Sequence, residues 1–481
     1  MKPPNEANPE RKKVGVEEVA EGRGQPEGNP SEAAKVRTQS RGALPSALTR
    51  VAEAARRDRH VRFTSLLHHV DVACLRRAFE RLRKSANPGI DGETVESYSE
   101  NLTERLEDLC ARVHTGRYRA LPVRRVHIPK AGGGKRPLGI LAIEDKIVQG
   151  AMGEVLSAIY EVDFLGFSYG FRPGRCPHHA LKALHTALMT QRVNYVLDAD
   201  IRSFFDSVDH EWLLRMIAHR VADRRVLRLI VKWLKAGVIE RKEWKQTKVG
   251  TPQGAGISPL LANIYLHYVL DLWVHKWRKL HARGRVVIVR YADDFVLGFQ
   301  YESDAKRMMA ALRERLAKFK LQLHESKARL IEFGKWVSER RERRGEKRCE
   351  TFAFLGFTHY CGRSRKGRFV VKRRTQAKRL RGCLAKLRRE ARRRMHAPVA
   401  DQWKWPVSVL RGHYAYFGLP SNYSSLRAYY KEARRIWFKS LKRRSQKSRM
   451  TWDRFTALLQ CFPLPAPMIM HPRAALKAAT A

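Results

Sequence analysis

Residues 286–299 read Val-Val-Ile-Val-Arg-Tyr-Ala-Asp-Asp-Phe-Val-Leu-Gly-Phe, two apolar runs that meet at a pair of adjacent aspartates. β-Branched and aromatic residues at this density favour strands, and so short an interruption favours a hairpin. Neighbouring carboxylates repel each other, so a hairpin tip carrying both Asp293 and Asp294 is disfavoured without a cation. A lone Tyr-x-Asp-Asp is common by chance; at the tip of an apolar hairpin it points to chemistry.

Two further segments belong with that hairpin. Val193–Ile201 reads as a strand that includes Asp198-Ala-Asp200, and residues two apart on a strand share a face. Taken alone, this is a strand-terminal aspartate capping the following turn. The run Gly250-Thr-Pro-Gln-Gly-Ala-Gly256 predicts a rigid turn, with a helix from Ser258-Pro259. Such a loop lets its backbone and Gln253 approach a flat ligand closely. An acid near 200 and a pair near 293 can converge on two divalent ions about 3.5–4 Å apart, the arrangement of nucleotidyl transfer. Mg²⁺ is the expected ion, with Mn²⁺ as a substitute, because it takes oxygen ligands from a few carboxylates plus substrate phosphates.

Charge indicates the partner. The formal net charge of +49 over 481 residues opposes compaction unless a polyanion neutralises it. Nucleic acid is the first candidate and an anionic membrane surface the second. No run of 18 apolar residues exists to span a bilayer, and the N-terminus lacks the apolar region of a secretory signal. The seven cysteines include no CxxC pair, so neither a disulfide framework nor a structural zinc site is expected. A reduced, intracellular, nucleic-acid-bound protein is expected.

The chain divides by composition. Residues 1–45, rich in Pro, Gly, Glu, Arg and Ser, are expected to be a disordered leader. Helical patterns start near Ala47 and at Leu75–Leu82, and Asn87–Gly92 breaks them. From about 120 to 300, β-rich runs alternate with helices such as Glu211–His219, N-capped by Asp209, which indicates an α+β domain. Residues 363–394 hold 16 Lys/Arg and one acid, Glu390. Leu380, Leu384 and Leu387 recur at helical spacing, so this segment is expected to be a basic helix facing phosphates. Residues 334–350 are expected to form a basic exposed loop. Beyond Pro398, ten aromatics from Trp403 to Phe438 alternate with basic residues, a composition suited to RNA and equally to a small helical core with a basic surface.

Taken together, these motifs resemble those of group II intron reverse transcriptase/maturases, from about residue 87 to residue 471. Asn87-Pro-Gly-Ile-Asp-Gly92 is similar to the family's N-terminal extension motif. Lys135-Arg-Pro-Leu-Gly-Ile140, Asp145-Lys-Ile-Val-Gln149 and Tyr169-Gly-Phe-Arg-Pro173 resemble its fingers motifs. Asp200 with Phe204-Phe205 resembles motif A, Pro252-Gln-Gly254 motif B, Tyr291-Ala-Asp-Asp294 motif C, Leu323-His-Glu-Ser-Lys327 motif D, and Phe354-Leu-Gly-Phe357 motif E. Arg411–Gly418 and Arg443-Arg-Ser-Gln446 look like its maturase segments.

The resemblance implies a right-hand polymerase: fingers and palm over 46–360, a basic helical thumb starting at 361–398, and the rest of the thumb with the maturase (X) domain over 399–481. It implies that Asp200, Asp293 and Asp294 are the catalytic, metal-binding triad. Asp200 is preferred over Asp198 because the family's acid stands five residues before an aromatic gate, here Phe205. By the same resemblance Phe205 excludes a 2′-hydroxyl, Gln253 lines the nucleotide site, Arg136 contacts the triphosphate and Lys327 acts near the pyrophosphate. Arg373, Arg374, Lys378, Arg379, Arg443 and Arg444 are expected to bind RNA. The implied partners are group II intron RNA, an RNA template with its DNA primer, dNTPs and a DNA target, with no membrane. The implied setting is a bacterial, nucleoid-associated ribonucleoprotein, in the form that lacks an HNH endonuclease. Two other readings remain open at this level: a splicing factor without polymerase activity, and a domesticated relative serving repair or defence.

Overall fold

The structure is a computed structural model that describes residues 45–129, 134–240, 243–246, 249–251, 254, 256–325, 328–346 and 349–471. The expected leader therefore lies outside the described residues, save for residue 45. Eleven strands are found among them: β1 Val123–Pro129, β2 Lys135–Ile140, β3 Tyr195–Asp200, β4 Val238–Glu240, β5 Glu243–Lys245, β6 Val286–Tyr291, β7 Asp294–Phe299, β8 Arg329–Glu332, β9 Phe352–Phe354, β10 Phe357–Arg363 and β11 Phe369–Thr375. They form three sheets, ordered β2-β1-β4-β5, β6-β7-β3-β8 and β11-β10-β9. The middle sheet is antiparallel throughout. None of the helices among the described residues is long and apolar enough to cross a membrane.

Both faces of the middle sheet are buried, which explains why its strands read as nearly unbroken apolar runs rather than strict alternation. Leu197, Ala199, Ile288, Phe295, Leu297 and Phe299 face one core, shared with the helices Ile143–Asp163, Ser258–Leu266 and Glu302–Lys318. Val196, Val289, Val296 and Ile331 face a second core. That second core is completed by the helix Pro177–Thr190, the sheet β11-β10-β9 and the C-terminal helices Ala377–Arg393, Val399–Phe417, Tyr423–Lys442 and Trp452–Cys461.

In the first core, Ile143–Asp163 is buried on most sides, and the helices Ser46–Arg57 and Val72–Glu80 pack their apolar stripes against it. The Asn87–Gly92 break separates these from the helices that follow. A side chain at Gly89 would come within 2.5 Å of the Ala142 backbone, so glycine is needed for the close approach. Among the C-terminal helices, Leu410 and Leu426 are completely buried and His413 stacks on Tyr429 at 3.8 Å. Much of the aromatic repeat after Pro398 thus serves as a helical core.

The local expectations mostly hold. The helix His210–Ala218 is capped by Asp209, whose carboxylate accepts from the Trp212 N–H at 3.0 Å. The helix after the Gly/Pro loop starts at Ser258 with Pro259 in its first turn. Two expectations need correction. Residues 334–350, expected as an exposed basic loop, contain the helix Lys335–Arg343. Val337 is fully buried, and Glu332 pairs with Arg340 and Arg341 at 3.3 and 2.5 Å, which neutralises part of the basic face. The basic segment 363–394 is a helix only from Ala377 onward. Its first part completes β10, turns at Ser364–Gly367 and returns as β11, because Phe369-Val-Val carries strand propensity that the leucine spacing does not reach. The expected boundary at 361 consequently falls inside β10.

Candidate active site

The acids are brought together by register. In the β3–β7 pair Asp200 stands opposite Asp294, and Asp198 stands opposite Val296. Opposed residues share a face, so Asp198, Asp200 and Asp294 project to the side of the second core. The turn joining β6 to β7 is Ala292-Asp293, so Asp294 is the first strand residue rather than part of the tip. Ala292 has a φ of +57°, the left-handed conformation that two-residue hairpin turns require at their first central position. Gly170 makes room for it: a side chain there would meet the Ala292 nitrogen at 2.2 Å.

Two of these acids, Asp293 and Asp294, resist ionisation. Burial raises the Asp293 carboxyl, the Asp200 charge adds to that, and the Arg136 guanidinium opposes it. Asp294 is pushed up to about 8, first by burial and then by Asp293, Asp198 and Asp200. Arg136, on β2, therefore lies within electrostatic reach of Asp293. A divalent cation would remove the conflict between the carboxylates. Among the described residues no three His, Cys, Asp or Glu side chains close into a metal cage. A partial set of acids fits Mg²⁺, an ion that completes its shell with water and substrate phosphates.

Two neighbouring elements complete the site. The turn between β9 and β10 is Leu355-Gly356, both at positive φ, +48° and +79°. It brings the Leu355 N–H near Asp294, where it opposes the upward shift of the carboxyl, and the Tyr416 hydroxyl donates to the Leu355 carbonyl at 3.0 Å. The C-terminal helices thereby contact the face that bears the acids. Phe205, half-buried, sits on the short helix Phe204–Ser207 that follows β3. Its carbonyl accepts from the Thr251 N–H at 2.8 Å, and a side chain at Gly250 would meet the Phe205 and Asp206 backbone at 3.0 Å. Gly254 approaches the Gly139 carbonyl on β2, where a side chain would come within 2.6 Å. The Gly/Pro loop thus joins the strand that carries Arg136 to the turn that carries Phe205. Gln253 and Lys327 lie outside the described residues.

Of the residues expected to bind RNA, Arg374, Lys378 and Arg443 are exposed, and Arg379 and Arg444 are half-exposed. Arg373 is 3% exposed and points inward, donating to the Leu181 carbonyl at 3.4 Å. Alternation along β11 explains the difference: Arg373 and Arg374 face opposite sides. Sequence reasoning missed Gly170, the Leu355 N–H and the Tyr416 hydroxyl, which come from distant segments. It also missed Arg290, although a lone charge inside Val-Ile-Val-Arg-Tyr was a visible signal.

The chain is similar to several known proteins. The reverse transcriptase (RNA-dependent DNA polymerase) family matches residues 128–359. Protein YkfC of Escherichia coli (strain K12) is 35% identical over 302 residues, covering 54% of this chain and 78% of that protein. The group II intron-encoded protein LtrA of Lactococcus lactis subsp. cremoris is 39% identical over 193 residues, covering 39% of this chain and 31% of LtrA. A 91 kDa protein in the cob intron of Schizosaccharomyces pombe is 37% identical over 195 residues, covering 40% of this chain and 23% of that protein. The chain thus spans most of the first relative and under a third of the other two. With a family match across the sheet that bears the acids, this chain belongs to the group II intron reverse transcriptase/maturase family.

Proposed function

We propose that this RNA-directed DNA polymerase works by two-metal nucleotidyl transfer at Asp200, Asp293 and Asp294, on an RNA bound by its own basic C-terminal half. The observation that carries this reading is the opposition of Asp200 and Asp294 across β3 and β7, with Asp293 at the adjoining tip. Mg²⁺ held by these acids would lower the pKa of an attacking hydroxyl and stabilise the leaving pyrophosphate. The chain's own residues do the rest. Arg136 meets the triphosphate, Phe205 limits the space beside the sugar, and Gln253 and Lys327 complete the nucleotide site. In this reading Arg374, Lys378, Arg379, Arg443 and Arg444 follow the RNA backbone.

The preferred RNA is the protein's own group II intron, whose splicing it assists and whose spread it supports by reverse transcription at a DNA target. Support comes from the family and from the contact that Tyr416, within the segment resembling a maturase motif, makes with the turn at the acids. The test is primer extension on an RNA template with purified protein, Mg²⁺ and dNTPs, beside Asp293→Ala. Extension lost only in the variant, with RNA affinity unchanged, supports the reading. A fully active variant removes Asp293 from the site.

A further inference from the structure

Arg290 interrupts an apolar strand, and it is completely buried together with its partner Asp271. Nε donates to Asp271 Oδ1 at 2.7 Å and Nη2 to Asp271 Oδ2 at 2.6 Å. Nη1 donates to Asn263 Oδ1 at 3.0 Å and to the Ala292 carbonyl at 2.9 Å. Nη2 also donates to Ser168 Oγ at 2.7 Å. A guanidinium has five N–H donors, and these five bonds use all of them. The backbone of Arg290 is fixed as well, through the Phe167 carbonyl and the Tyr169 N–H, each at 2.9 Å.

One side chain therefore joins four segments. They are the tip of the acid hairpin, the loop 165–170, the helix Ser258–Leu266 and the π-helical turn His267–Asp271. Asn263 extends the network by donating to the Gly170 carbonyl at 2.7 Å, and Gly170 is the residue that leaves room for Ala292. The helix bearing Asn263 follows directly from the Gly/Pro loop beside Phe205. A π-helical turn inside a helix is a local departure often found at functional sites, and here it supplies Asp271.

We propose that Arg290 is a positioning residue for polymerisation. Through the Ala292 carbonyl it sets where the hairpin tip presents Asp293, and through Asn263 it keeps that tip in register with the helix leading from the nucleotide-site loop. A buried ion pair is weak evidence for stability alone, since apolar replacements are often neutral or better. A saturated fork with one bond to the turn itself is what fixed geometry requires. Lysine, with three donors and no planar fork, cannot reproduce it. The inference rests on the assignment of the acids above.

The test is Arg290→Lys in the full chain, measured by single-turnover primer extension across a Mg²⁺ titration, with RNA–primer affinity and thermal unfolding in parallel. The expected result is a maximal rate lower by on the order of 10–100-fold and a higher Mg²⁺ requirement, because small misplacements of reacting groups have effects of that size. Affinity stays unchanged. An unaltered rate and Mg²⁺ requirement overturns the proposal, and so does a joint fall of rate, affinity and melting temperature. Should the lysine variant not fold, Asn263→Ala decides. It removes the link to the helix and keeps the Arg290–Asp271 pair, so the same split of smaller size is expected and wild-type kinetics reject the idea. An active Asp293→Ala would instead overturn the acid assignment. An inactive Asp293→Ala beside wild-type kinetics in Arg290→Lys would overturn only the role of Arg290.

Discussion

Asp200 and Asp294 are directly opposed across two antiparallel strands, and the backbone N–H of Leu355 lies near enough to Asp294 to favour its charged form. The acidic site thus rests on three segments: β3, the β6–β7 hairpin and the turn at Leu355-Gly356. The third connects it through Tyr416 to the C-terminal helices. Changes in the C-terminal half can therefore reach the acids by contact.

Gly170→Ala should disable the enzyme while leaving RNA binding intact. The added methyl would lie 2.2 Å from the Ala292 nitrogen, so the hairpin tip must move. A displacement approaching 1 Å lowers extension rates by on the order of 100-fold. Single-turnover extension beside RNA affinity checks this; a wild-type rate would show that the tip tolerates the shift.

Phe205→Ala should admit ribonucleotides. The residue is held by the Thr251–Phe205 backbone bond, and its ring makes edge contact with Phe204 at 5.5 Å, so truncation opens space without removing the link to the loop. Discrimination between dNTPs and rNTPs should fall by about 10–200-fold, the range available to a steric pocket. Competitive incorporation assays measure it, and unchanged selectivity would remove Phe205 from that role.

RNA affinity should fall steeply with salt, and the exposed Arg374, Lys378 and Arg443 should account for part of the slope. Each phosphate contact removed by alanine should flatten the log–log slope by roughly 0.7–0.9 through lost counterion release. Binding titrations between about 50 and 200 mM salt test this. Arg373→Ala should act differently, lowering thermal stability, because that guanidinium is buried.

Asp145 should give the protein a pH-dependent stability. Burial pushes its carboxyl up to about 6, against the Tyr118 hydroxyl and Leu121 N–H that donate to it. A native pKa above the unfolded value of about 4 means that the native state holds the proton more tightly. Its contribution is therefore complete below about pH 4 and lost as pH rises through about 6, an effect of at most about 3 kcal/mol. Asp145→Asn cannot titrate, so denaturant unfolding should show a smaller decline from about pH 4 to about pH 6 than the wild type. Parallel curves would place the titration elsewhere.

Much of the site was legible in the chain alone because its signals are local. Alternation places Asp198 and Asp200 on one face, two apolar runs around Ala292-Asp293 form a hairpin, and Ser258-Pro259 starts a helix. Where local signals competed, reading failed: the leucine spacing of 377–393 was extended over residues that pair as β10 and β11, and the charges of 335–343 hid a helix anchored by Val337. Only tertiary structure decided that Asp294 meets Asp200, that Tyr416 bonds the Leu355 carbonyl beside the acids, and that Arg290 commits all five donors inside the protein. Strand register and buried hydrogen bonds depend on partners far apart in sequence. Their energy exists only once the two cores have closed on either face of the sheet.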